Sequence, residues 1–395
     1  MSVALSALLY LSSIGRTRAE NRIDYRYEDY REEDGRVQVK THGVYFDTAL
    51  TSLISLKGNY IHDAISGSTP LGPPYLPGTN AVNTATIDDI RNAGFIQPTF
   101  KIGNHSLSPQ LAYSLESDYE SIGIALNDAI DFNDKNTTLT LGISHSFDHI
   151  LPNEGERQMV TVGTNKDSVP ITSNLAKDDT AALVGVTQLL GPATVLMVDG
   201  TLGYAEGYLS DPYKRVLFDD FDYFPGDPNN PNAYTVWAEN RPDHRFRQVA
   251  FVSLTHNFEK LEAAIEATYR FYHDDYGILA HTASFQWNQK IGKFIIVSPM
   301  FRFYTQTEAD FYATHFPGDP QDLQASPLPS HFSSDYRLSA LNSFTYGLSV
   351  SARVHEHLSL ELAYKRYEMY GTDGVTGSEQ YPKANVFSAG LTLWF

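Results

Sequence analysis

Connections that alternate between short and long constrain this chain more than any motif it carries. Period-two alternation of apolar and polar residues marks sixteen candidate strands, roughly 22–31, 36–50, 52–64, 90–103, 106–119, 121–133, 136–149, 179–190, 194–208, 244–258, 261–275, 278–291, 293–307, 335–354, 358–370 and 383–395. Every second connection is a tight turn: Thr51-Ser52, Asn104-His105, Asp134-Lys135, Gly191-Pro192, Glu259-Lys260, Gly292 and His355-Glu356-His357. The five long connections, 65–89, 150–178, 209–243, 308–334 and 371–382, all fall at the other parity, with three short ones at 32–35, 119–121 and 276–277. A soluble sandwich has no reason to sort connection lengths by parity. An antiparallel barrel that crosses a membrane does, with short turns on one side, longer loops on the other and an even strand count. Of 20 prolines, 15 fall in four of the long loops, which fits this map. Pro98, Pro109 and Pro299 fall inside strands instead, which predicts either bulges there or different strand boundaries.

The faces agree with a barrel turned inside out relative to a soluble one. Leu139, Leu141, Ile143 and Phe147 alternate with Thr138, Thr140, Ser144 and Asp148. Leu279, Ala283, Phe285 and Trp287 oppose Thr282, Ser284, Gln286 and Asn288, and Leu338, Phe344, Leu348 and Val350 oppose Arg337, Ser343, Ser349 and Arg353. Periodicity does not say which face looks outward. The charges on the polar face, together with an export signal, place that face in the lumen. The signal is the apolar stretch VALSALLYLSSIG at 3–15, with Thr17-Arg18-Ala19 as cleavage site, although no Lys or Arg precedes it. The expected division is therefore a signal peptide at 1–19 and one barrel domain at 20–395. No apolar run of ~18 residues is present to form a transmembrane helix. The closing segment NVFSAGLTLWF at 385–395 alternates strictly and ends on an aromatic residue, Phe395, which we expect to be the signal read by the barrel assembly machinery.

Composition narrows the functions. The absence of cysteine excludes disulfides, thiolate metal sites, thiol catalysis and lipidation of this chain. A net charge of −18 argues against nucleic acid as a partner. The 25 Tyr and 22 Phe suit aromatic girdles at two membrane interfaces, so outer-membrane lipid and lipopolysaccharide are the expected surroundings.

Eight segments carry a resemblance: DAISGSTP at 63–70, ESDYES at 116–121, KNTTLTLG at 135–142, VTQLLGP at 186–192, GYLSDPYK at 207–214, YRFYHDDYGI at 269–278, ADFY at 309–312 and SDYRLSA at 334–340. The chain resembles a family of Gram-negative outer-membrane β-barrels catalogued as a domain of unknown function. That resemblance implies a single barrel domain. It also implies a setting, because members often sit beside genes for a small lipoprotein, a thioredoxin-like protein and a flavin transferase. A small lipoprotein partner is thus an expectation of the resemblance, not of the residues.

No G-x-S-x-G, H-E-x-x-H, P-loop or cysteine pair is present, so neither an enzyme nor a cofactor is expected. His355-Glu356-His357 and the pair His145 and His149 read as a solvated turn and as interfacial rings. Polar residues gather instead at the outer ends of strands: Asp63, Glu116, Asp118, Asp148, Arg270, Tyr272, Asp274, Arg302, Tyr304 and Arg337. Facing each other across a lumen, they form either a bracing network or a constriction that selects solutes by charge. Asp219, Asp220, Asp222, Glu308 and Asp310 make two loops acidic enough for hard cations such as calcium, with a solvated acidic surface as the alternative. The function expected first is a porin-like channel for small hydrophilic solutes or ions with a charged lumenal constriction; the second is a structural or partner-binding barrel with a sealed lumen, serving an envelope redox or assembly system.

Overall fold

The computed structural model describes residues 21–72, 84–151, 175–218, 237–318, 324 and 327–395. The signal segment and Asp219, Asp220 and Asp222 lie outside these. The strands in chain order are β1 (Arg22–Glu32), β2 (Gln38–Ala49), β3 (Ile54–Pro70), β4 (Thr84–Ile102), β5 (His105–Leu115), β6 (Tyr119–Phe132), β7 (Thr137–Ile150), β8 (Leu175–Gly191) and β9 (Thr194–Gly207). They continue as β10 (Arg215–Val216), β11 (Trp237–Ala238), β12 (His244–Phe258), β13 (Ala263–Asp274), β14 (Leu279–Ile291), β15 (Ile295–Gln306), β16 (Leu341–His355), β17 (Leu358–Gly371) and β18 (Lys383–Trp394).

Sixteen of these form one closed barrel, and β10 and β11 form a separate two-residue ribbon. Each barrel strand pairs antiparallel with its neighbours in sequence, and β1 closes on β18 from Arg22 opposite Trp394 to Glu32 opposite Ala384. Closure leaves no free sheet edge, which is what a strand-built membrane span requires. The side chains sort as alternation demands. Leu141, Ile143 and Phe147 on β7, Phe285 on β14, and Leu348 and Val350 on β16 are exposed on the outer wall. Their neighbours Asp148, Ser298 and Ser343 are buried on the inner one. Large apolar side chains stay exposed on every barrel strand, far beyond the few hundred Å² that a soluble surface tolerates. The barrel spans the bacterial outer membrane, and the short turns mark its periplasmic end.

Two expectations need correction. The prolines do not produce bulges. Pairing on either side of Pro98 and Pro109 keeps one register, Ile96 opposite Leu111 and Phe100 opposite Leu107, and the ladder lapses where the two prolines face each other. The same happens beside Pro299, between Met300 opposite Gln286 and Val297 opposite Gln289. Register shifts occur instead near two periplasmic turns, at Leu189/Gly191 and Arg353/His355. Second, β16 begins at Leu341, so Arg337 does not open a strand. The Asp335 side chain accepts the backbone N–H of Arg337 and winds Tyr336–Leu338 into a 3-10 turn. A short polar side chain has won the local backbone from the ladder.

Apolar residues do gather, but among the outer loops. Tyr276, Ile278, Ala309, Phe311, Tyr312 and Leu338 form one cluster; Val216, Phe218, Phe316 and Phe332 a second; Tyr336, Leu341 and Tyr381 a third. The protein thus carries a small soluble-type core at one end of a membrane-type barrel.

Candidate functional site

The loops that hold this core meet across the outer mouth. After β9 the chain runs 208–218 toward β3, which lies six strands away around the ring of sixteen. On the way Tyr213 donates its hydroxyl to Asp118, in the turn between β5 and β6. The Lys214 ammonium donates to the carbonyl of Pro70 at the end of β3, and the Arg215 amide donates to Leu71 O at 2.9 Å. From the other side, Asn240 and Phe332 exchange backbone hydrogen bonds of 2.9 and 2.8 Å, tying this loop to the one between β15 and β16. The loop between β17 and β18 joins through Gln380, which donates to Gly72 O at 2.9 Å, and Tyr381, 2.7 Å from Ser339 Oγ. Gly72 has φ +120°, and a side chain there would meet the carbonyls of Arg215 and Ser334 at 3.0 Å. Three chain segments pack against that one glycine.

At the crossing sits an ionic cluster. Arg337 binds Asp335 through Nε at 2.9 and 2.8 Å and reaches Asp211 Oδ2 at 2.6 Å. Arg241 bridges Asp335 Oδ2 at 2.8 Å and Glu239 Oε1 at 2.6 Å. Glu239 also accepts the Asp211 amide at 2.5 Å and the Ser333 hydroxyl. The side chains of Asp335 and Glu239 have 0 % exposure and Arg241 12 %. Their partners Arg337 and Asp211 are less enclosed, with side-chain exposures of 38 % and 23 %. Burial opposes the charge on Asp335, but Arg337, Lys214 and Arg241 outweigh it and hold the carboxyl well below the usual range. Asp211 follows the same balance: burial is overcome by Arg337 and Lys214, and its pKa falls to about 2. Glu239 goes the other way, raised by burial, against Arg241 and with Asp335 and Asp211 adding to it.

These shifts have opposite signs for stability. The contribution of Asp335 and Asp211 is fully present above the ordinary carboxyl value near ~3.9. It fades as pH falls through their folded values, about 2 for Asp211. Glu239, with a raised folded value, stabilises most when protonated and loses that as pH rises past its ordinary ~4.3. Glu239→Gln keeps an acceptor for Ser333 and the Asp211 amide without the charge. We expect it to stabilise the loops at neutral pH and to flatten their pH dependence above the ordinary carboxyl range. Limited proteolysis of the loops between pH 4 and 8 checks this; faster cleavage of the variant at neutral pH would count against the stated sign.

Below the cap, the predicted residues pair along the inner wall. Asp63 accepts Thr41 Oγ1 at 2.6 Å and Arg91 Nε at 2.7 Å. Lys177 Nζ lies 3.2 Å from Asp148, and Arg247 binds Asp179. Asp274 accepts Arg245 Nε at 2.8 Å and the Tyr272 hydroxyl at 2.6 Å, and Tyr304 donates to Gln306 at 2.6 Å. Arg270 and Arg302 face the same lumen but form no ion pair among the described residues. Glu116 and Asp118 lie in a turn rather than at the strand end. Their carboxyls and that of Asp89 converge to within 4.8 Å, a set that could hold a hard cation. Burial, with the neighbouring carboxylates, raises the pKa of both Glu116 and Asp118. Glu308 and Asp310 are exposed and join no such cluster among the described residues. Phe395 is exposed, and its amide donates to Asn21 O at 3.0 Å. Glu239, Arg241 and Asp335 were missed by the sequence reading. They lie in loops, where no period marks the inward side.

Fold and site together define a transmembrane β-barrel of the outer membrane whose outer loops interlock over its mouth. The chain belongs to the DUF3570 family, described as a protein of unknown function, whose family model matches residues 2–385. No functionally curated protein matches the sequence. Solved structures similar to it include the siderophore receptor PirA of Pseudomonas aeruginosa, 10 % identical with a TM-score of 0.43, covering 95 % of this chain and 62 % of that one. OmpT of Vibrio cholerae is 9 % identical with a TM-score of 0.44, covering 95 % and 98 %. A bacterial polysaccharide outer membrane secretin is 8 % identical with a TM-score of 0.46, covering 96 % and 100 %. The chain spans about three fifths of the length of the siderophore receptors.

Proposed function

We propose that this protein is a sealed outer-membrane barrel that serves as a structural or partner-binding unit of the envelope, rather than a passive porin-like channel. The observation that carries the reading is the complete burial of Asp335 and Glu239 where the loops cross the mouth. A diffusion pore would keep such charges wet, to guide solutes past them. Here they are spent on each other, and they tie the loop between β9 and β12 to the loop between β15 and β16. With the mouth held shut, the periplasmic opening is the accessible side. The small lipoprotein suggested by the family resemblance is the partner we propose for that end.

Planar-bilayer recording tests the sealed state. Purified protein, refolded and shown to migrate as a heat-modifiable barrel, should insert without the large ohmic steps expected of an open sixteen-stranded pore. Steady conductance with no closed periods would favour the porin reading and dismiss this one.

A further inference from the structure

Three cations on one side of the lumen form no ion pair among the described residues. Arg270 on β13, Arg302 on β15 and Lys365 on β17 each occupy the eighth position of their strand, counted from the periplasmic turn. All three strands rise from that end, so the three positions lie at one depth. Each side chain points inward, because the preceding Tyr269, Phe301 and Tyr364 are exposed on the lipid face. None of the three forms an ion pair within the described residues, unlike the lumenal pairs Arg26–Glu361, Arg91–Asp63, Lys177–Asp148 and Arg247–Asp179. Glu28 and Glu266, which face the lumen on β1 and β13, make no ion pair with them either. Arg302 is exposed although protein surrounds it, so the space before it is open to water. Lys365 lies across Gly347, where a side chain would come within 2.8 Å of its Cγ.

A tyrosine sits two residues further toward the outer end on each strand: Tyr272, Tyr304 and Tyr367. Two of these hydroxyls are engaged upward, Tyr272 by Asp274 and Tyr304 by Gln306, and Tyr304 packs against the loop core. The tyrosines form a ceiling, and the cations form a tier directly beneath it with no ion pair among the described residues.

We infer that this tier is a binding site for an elongated multivalent oxyanion, of the polyphosphate or polycarboxylate class. Alternate strands lie roughly 10 Å apart and the two-residue offset adds about 7 Å along the strand. Successive cations are thus spaced for separate anionic groups of one extended ligand, not for a single small ion. The guanidinium groups offer paired N–H donors to oxyanions, and the partly enclosed lumen weakens solvent screening. The site stands whether or not the outer mouth is shut; the seal decides only from which side the ligand arrives.

Calorimetric titration of the refolded full barrel in zwitterionic detergent tests it, with tripolyphosphate and citrate as probes. Saturable binding that weakens with added salt is expected. The triple variant Arg270→Gln, Arg302→Gln, Lys365→Gln should lose at least tenfold in affinity, whereas Arg26→Gln, lumenal but paired, should bind as the native protein does. If the triple variant fails to fold, Lys365→Gln alone should still weaken binding about threefold. Absence of saturable binding at low salt, or equal affinity in the native and substituted barrels, would overturn the assignment.

Discussion

Asp335→Ala is expected to open the outer mouth while leaving the barrel wall intact. The substitution removes the carboxylate shared by Arg337 and Arg241 and leaves Arg337, Arg241 and Lys214 facing one another. Breaking a buried pair by deleting one partner costs about 3–5 kcal/mol, mostly because the surviving charge is stranded. The barrel does not share that cost, since its ladders run from β1 round to β18 without the cap. Conductance steps should therefore appear in bilayers, and protease should cut within 307–340, while heat-modifiable migration stays unchanged. Replacing both partners, Asp335→Leu with Arg337→Met, removes the charges together and should restore much of the closure. That contrast separates an ionic latch from simple loss of packing. A closed, protease-resistant Asp335→Ala variant would show that the apolar clusters alone hold the loops.

The wall was legible in the sequence because lipid imposes one rule on every strand. Leu141 and Ile143 must face hydrocarbon, so Thr140 and Ser144 must not, and a period of two follows. Sixteen strands and their parity came directly from that rule. The cap obeys no such period. Its contacts join Asp211 to Arg337 and Glu239 to Ser333 across long stretches of chain, and nothing in the local pattern of either segment announces the other. Arg337 shows the boundary between the two regimes. Alternation extended backward from Ser343 assigns it to a strand, yet Asp335 captures its backbone amide and the chain turns instead. The cation tier fell between these cases. Arg270 and Arg302 were recognisable as lumenal, but their lack of carboxylate partners among the described residues and their shared depth with Lys365 required the structure.

Asp274→Ala should unfasten the cap from the opposite wall. Asp274 ends β13 with 1 % exposure and serves five donors: Arg245 through Nε and a terminal nitrogen, the Tyr272 hydroxyl, and the amides of Tyr276 and Ile278 at 3.1 and 3.0 Å. Those amides belong to the tight turn that places Tyr276 and Ile278 in the loop core, against Phe311 and Leu338. Alanine would strand the Arg245 charge and leave two buried N–H groups without acceptors, a loss of about 3–5 kcal/mol for the ion pair alone. Asparagine retains one oxygen for the amides but no charge, and should fall between. Hydrogen exchange followed by mass spectrometry reads the result directly. Protection should drop at 275–280 and 307–313 in Asp274→Ala, less in Asp274→Asn, with β1 to β6 unaffected. Because Asp274 and Asp335 grip the cap through different partners, their effects should add when combined. Unchanged protection at 307–313 would mean that the turn and the loop core are held independently, and that the seal depends on the central cluster alone.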